Sequence, residues 1–121
     1  MATIGFDTTL VHVGGRWTPC ASGQTLPLID PSDGSELARI ARGGATDVDA
    51  AVAAAQASLD GGEWGRLTAA ERGRLLLRLS TRVAEQADEL ARLEALDVGK
   101  PLKQGRADAL ALARYLEFYG G

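Results

Sequence analysis

At 121 residues the chain has the size of one modest domain, with no room for a cofactor domain and a substrate domain together. Hydrophobic residues make up 45% and charged ones 24%, the balance of a globular chain, but aromatics reach only 5%, so a core must come from Ala, Leu and Val. The formal net charge of -3 argues against a nucleic-acid partner, which needs clustered Lys and Arg.

Residues 1–9 carry no pattern and are expected to be disordered. Leu10-Val11-His12-Val13, Gly14-Gly15 and Arg16-Trp17 read as a tight β-hairpin, because two glycines supply the positive φ angles of a two-residue turn. A second strand pair, 24–29 and 35–41, flanks Asp30-Pro31-Ser32-Asp33-Gly34, the chemistry of a type I turn followed by a glycine bulge. Pro27 cannot donate to a ladder and marks an edge strand.

The period then changes from two to 3.6. Thr46 reads as an N-cap with Asp49 three residues on, and Val48, Val52, Ala55 and Leu59 fall on one helical stripe that Gly61-Gly62 ends. Thr68 and Glu71 repeat the capping device ahead of Leu75, Leu76, Leu79 and Val83. Residues 69–96 contain one glycine, Gly73, and no proline, so one long helix is permitted, as is a bend near Gln86. Gly99, Lys100 and Pro101 form a helix stop and restart. A last helix over 102–119 is expected to bury Ala109, Leu112, Ala113, Leu116 and Tyr119. The fold class is therefore α/β, with two hairpin-like strand pairs followed by three or four α-helices.

Reactive groups are few. Arg72, Arg74, Arg78 and Arg82 are interleaved with Glu71, Glu85, Asp88 and Glu89, which reads as a solvated helix face. Cys20, the only cysteine, lies in a loop with no neighbouring base and reads as an incidental thiol. His12, the only histidine, alternates with Val11 and Val13 and reads as a surface side chain. Arg39 to Thr46 passes from strand to helix through Gly43-Gly44, the order of a phosphate loop. Its spacing fits neither nucleotide motif, and Asp47 and Asp49 would repel an anion. No apolar run approaches the ~18 residues of a membrane span. No basic and apolar leader opens the chain, so a cytoplasmic location and no membrane partner are expected.

Read in order, six segments resemble the N-terminal part of the NAD(P)-dependent aldehyde dehydrogenases. They are Val11 to Trp17, Ser22 to Gly34, Asp47 to Ala55, Trp64 to Leu76, Ala87 to Glu94 with Asp97 to Pro101, and Ala113 to Gly120. The resemblance implies that residues 1–121 are the N-terminal segment of one aldehyde dehydrogenase domain, with the Rossmann-type part incomplete. It implies oxidation of an aldehyde to a carboxylic acid with NAD or NADP. The family's catalytic cysteine, its glutamate and its nucleotide loop match nothing here, and Cys20 lacks the nucleophile's context. This chain alone is therefore expected to bind no cofactor, to contain no catalytic residue and to be inactive. The expected partner is the remainder of a dehydrogenase chain or a homologous subunit. The alternative is a non-catalytic or split-enzyme subunit that docks onto dehydrogenase partner chains.

Two site assignments follow from the resemblance. A monovalent cation held in some members matches Ile29 and Asp97, with Asp30 standing where Asn is commoner. The helix that lines the family's aldehyde entrance places Ala107, Ala111 and Tyr115 beside the substrate path.

Overall fold

The computed structural model describes residues 4–121, so the expectation for residues 1–3 lies outside the described residues. The chain divides into two compact units, one ending at Arg66 and the other spanning Leu67–Gly121.

In the first unit, β1 (Leu10–Val13) and β2 (Arg16–Pro19) pair antiparallel, with Val13 opposite Arg16. Gly14 and Gly15 have φ of 58° and 79°, the two left-handed positions that let the strands follow their natural twist into the turn. A second antiparallel pair joins β3 (Thr25–Ile29) to β4 (Glu36–Ala41). Leu28 faces Ala38 but Ile29 faces Glu36, which leaves Leu37 as the extra residue of a bulge. The turn between them is built by Asp30, whose carbonyl accepts from Gly34 N–H at 2.8 Å and whose Oδ1 accepts from Ser32 N–H at 2.8 Å. Pro27 sits opposite Arg39 in a sheet of two strands, where every strand is an edge.

Residues 7–9 are better anchored than their lack of pattern suggests. Ala41 N–H donates to Thr8 O at 3.0 Å, Thr8 Oγ1 donates to Arg39 O at 2.6 Å, and Asp7 Oδ1 accepts from Thr9 N–H at 2.9 Å. β4 supplies both partners of Thr8, a tertiary opportunity invisible in local sequence.

Helix α1 (Ala45–Asp60) begins earlier than expected. Its N-cap is Gly44 rather than Thr46, because Asp47 reaches back to accept from Gly44 N–H at 2.8 Å, leaving Asp49 without the capping role. Gly61 ends the helix by donating to Ala57 O. A single turn, α2 (Glu63–Arg66), follows; no periodic signal can announce an element of four residues. The stripe Val48, Val52 and Leu59 lies on this helix and is exposed, Val52 by 62%.

The second unit contains α3 (Ala69–Glu85), α4 (Ala87–Val98) and α5 (Leu102–Gly120). Thr68 and Glu71 form the expected capping box: Glu71 N–H donates to Thr68 Oγ1 at 3.3 Å and Thr68 N–H to Glu71 Oε2 at 2.8 Å. The permitted long helix is broken at Gln86, whose N–H is shared between Arg82 O and Val83 O. The break lets both α3 and α4 lie against α5, which a straight rod of that length could not do.

Small residues make the helix contacts. Gly105, Ala109 and Ala113 on α5 and Ala87 and Ala91 on α4 are the buried set of this unit. Ser80 Oγ on α3 donates to Ala113 O at 2.7 Å. At the other end of α5 the two backbones nearly touch, since a Cβ on Gly73 would lie 2.4 Å from Gly120 O. Leu116 is half-buried, but Leu112 and Tyr119, expected inside, are exposed, as are Leu79 on α3 and Phe118 beside Tyr119. The seam is too narrow for large side chains, which point outward instead.

Gly73→Ala weighs two opposed effects. Alanine favours a helix interior over glycine by about 1 kcal/mol, whereas the added methyl forces two helix backbones apart, an overpacking cost of about 1–3 kcal/mol. We expect the clash to prevail and the helical melting midpoint, followed by circular dichroism, to fall. An unchanged or raised midpoint would show that the α3–α5 approach is looser than this.

Candidate functional site

The most developed polar cluster stands where α4 hands over to α5. Gly99 takes a left-handed φ of 70° and donates its N–H to Ala95 O, so the chain leaves α4 sharply. Pro101 O accepts from Gln104 and Gly105 N–H, starting α5 at once. Lys100, between them, directs its ammonium to both helices. Nζ lies 3.2 Å from Glu94 Oε2 on α4 and 2.5 Å from Asp108 Oδ2 on α5. The hydrogen bond to Asp108, then that to Glu94, raises the lysine above its ordinary value of 10.5. Arg106 adds a second inter-helix pair with Asp88 at 2.7 Å, more exposed than the first.

The corner fixes where the next residues of α5 point. Ala107, Ala111 and Tyr115 recur at intervals of four, and the structure brings all three onto one exposed face of α5. That face has no protein layer over it among the described residues of its unit. Two of the side chains are methyls, so the surface is open and unobstructed, with the Tyr115 ring at one end.

The two cation positions are on different units. Ile29 closes β3 at the bulge opposite Glu36, and Asp97 lies exposed in the last turn of α4. Each offers one oxygen-bearing group of the kind a hard cation takes. Among the described residues no three Asp, Glu, His or Cys side chains converge as a metal group.

The remaining reactive groups are occupied. Cys20 is buried, with Sγ donating to Gln24 O at 3.3 Å and lying 3.6 Å from Ser22 Oγ. His12 is exposed and stacks edge-on with its cross-strand partner Trp17, ring centres 5.0 Å apart. At the strand-to-helix junction Asp47 Oδ2 takes Gly44 N–H while Oδ1 takes Ala21 N–H at 2.7 Å. These two bonds, that to Gly44 first, hold the carboxyl below its ordinary range. A fixed negative charge thus fills the place a phosphate would need, and the junction does not fit a dinucleotide.

Neither the Asp47 bridge nor the Lys100 clasp was legible beforehand. In the sequence Asp47 reads as a charge that repels anions, and Asp108 lies eight residues from Lys100 across a helix start. Only the sharp exit at Gly99 could have hinted at the second.

A fold of two antiparallel strand pairs and helices packed through a small-residue seam is also found in solved structures. Aldehyde dehydrogenase from Bacillus cereus, as its G224D mutant, superposes with a TM-score of 0.90 at 32% identity over 95% of this chain and 24% of that one. PnpE from Pseudomonas sp. WBC-3, in complex with nicotinamide adenine dinucleotide, gives 0.88 at 40% identity over 95% of this chain and 23% of its own. The aldehyde dehydrogenase family model matches residues 17–121. The chain belongs to the aldehyde dehydrogenase family. Among curated relatives, a hydroxyisobutyraldehyde dehydrogenase from Mycolicibacterium austroafricanum is 45% identical over 113 residues, 93% of this chain. The chain spans only 22% of that relative's length.

Both charge devices can be checked by titration. Because Lys100 is raised on folding, its contribution is fully present below its unfolded value of 10.5 and is lost as pH rises through the higher folded value. The Lys100 ε-carbon NMR shift should titrate above 10.5, and Asp108→Asn should lower the midpoint more than Glu94→Gln. Equal effects would assign the clasp to charge density alone. Asp47 has the opposite sign: its contribution is present above its unfolded value of 3.8 and is lost as pH falls through the depressed folded value. Asp47→Asn should therefore flatten the acid limb of the α1 unfolding curve.

Proposed function

We propose that this chain is the N-terminal scaffold of an enzyme that oxidises an aldehyde to a carboxylic acid with NAD or NADP. The observation that carries the reading is the family match over residues 17–121, set against a span of about a fifth of the relatives' length. PnpE bound to nicotinamide adenine dinucleotide supports that cofactor class for the complete enzyme. The cofactor would accept hydride from the substrate carbon when bound elsewhere in that enzyme.

The residues present have supporting roles in this reading. The Lys100 clasp sets the start of α5, and Ala107, Ala111 and Tyr115 give the aldehyde an unobstructed approach. None of these groups attacks a carbonyl or moves a hydride, so the chain by itself is inactive.

A second reading is a split-enzyme or non-catalytic subunit that docks onto dehydrogenase chains. The exposed apolar faces of α1 and α5 favour it, with Val52 62% and Phe118 76% exposed. Both readings predict a chain that self-associates or melts gradually when alone.

Purified chain mixed with NAD or NADP and a range of aldehydes should produce no reduced cofactor above the buffer rate. A chimera in which this chain replaces the matching segment of the Mycolicibacterium dehydrogenase should turn over hydroxyisobutyraldehyde. Turnover by the chain alone would overturn its supporting role. A folded chimera without turnover would overturn its place as a dehydrogenase scaffold.

A further inference from the structure

The outer side of the second unit carries a feature with no part in the Lys100 corner or the α5 face. Leu67, Glu71, Arg74, Leu75, Leu77 and Arg78 line an open groove of 440 Å³ along α3. Its lining surface is mainly hydrocarbon, supplied by three leucines and the arginine stems. The charges are one-sided. Glu71 is the only acid in the lining, and its Oε2 is engaged by Thr68 N–H and Thr68 Oγ1, both at 2.8 Å. Arg74 and Arg78, one helical turn apart, meet no carboxylate at ion-pair distance among the described residues. Further along the unit Arg82 pairs with Glu85, and Arg106 with Asp88.

An apolar trough edged by two exposed guanidinium groups, Arg74 sharing only the long-range field of Glu71, selects a partner by chemistry. The complementary surface presents aliphatic side chains to the leucines and one or two carboxylates to the guanidinium forks. The helical spacing of Arg74 and Arg78 suits carboxylates a turn apart on a helix or alternate positions on a strand.

We propose that this groove seats an acidic amphipathic segment of the dehydrogenase remainder, with Arg74 and Arg78 pairing to its carboxylates. The proposal rests on the scaffold reading above. Charge complementarity identifies the segment's chemistry, and the relatives' length, about four-fifths of which this chain does not match, supplies the occupant.

The test uses the full-length chimera. In it, Arg74→Glu with Arg78→Glu places like charges against the segment, and Arg16→Glu with Arg42→Glu is a control of equal charge change in the first unit. The Arg74/Arg78 reversal should lower the melting temperature by several degrees relative to the control, and added salt should narrow the gap by screening the repulsion. Because Arg74→Glu also stands one turn from Glu71 on α3, the same reversal measured in the isolated chain gives the salt response of the helix itself, and only a larger response in the chimera reports the seated segment. Arg74→Gln with Arg78→Gln should fall between, because it removes attraction without adding repulsion. If the parent chimera is folded and active but both arginine pairs behave alike, the groove assignment is overturned and the scaffold reading stands. A folded parent chimera without turnover overturns the scaffold reading, and the groove assignment with it.

Discussion

The second unit depends on how closely three helix backbones can approach. Along α5 the inward positions are Gly105, Ala109, Ala113 and Gly120, and opposite them stand Ala87, Ala91 and Gly73. Such a seam buries little apolar area per residue, so it contributes little hydrophobic stabilisation for its length. What it supplies is distance: short enough for Ser80 to reach the Ala113 carbonyl and for Lys100 to reach carboxylates on two helices. Widen the α3–α5 approach and the Ser80 bond lengthens; widen the α4–α5 approach and the Lys100 clasp opens.

The reverse side of that arrangement is an unusual distribution of side-chain size. The buried hydrophobic residues of the described chain are one cysteine and four alanines, while Trp17, Leu59, Tyr115, Phe118 and Tyr119 stand more than half exposed. For a freestanding domain this is an inverted pattern. It becomes ordinary in the proposed scaffold, where the large side chains would form the inward layer of a longer enzyme. The small residues then set the spacing inside the segment, and the large ones set its fit to the remainder.

Much of the fold was legible locally. The Gly14-Gly15 hairpin, the Asp30 turn with its bulge, the Thr68–Glu71 capping box and the Gly99 stop each rest on a few adjacent residues, and each is present. The errors share one cause, which is that tertiary partners outvote local preference. Gln86 breaks a sequence that would continue as helix, because α5 lies where a straight rod would miss it. Gly44 displaces Thr46 as cap because Asp47 offers a nearer acceptor. Apolar periodicity on α1 and α5 correctly marked helices, but on α5 it misjudged Leu112 and Tyr119, because a stripe gives the period of a helix and not which of its positions the narrow seam admits. Of the candidate site, family resemblance supplied Ala107, Ala111 and Tyr115, whereas Lys100's two partners needed three-dimensional placement.

Cys20 shows what such a construction leaves behind. It is the only thiol in the sequence, it is buried, and its sulfur is held between Gln24 O and Ser22 Oγ in the loop that Asp47 ties to α1 through Ala21 N–H. Chemical access to that sulfur therefore requires the loop to come away from the helix start. The first unit carries a built-in clock for its own local opening: the rate at which the thiol meets solvent counts excursions of that loop.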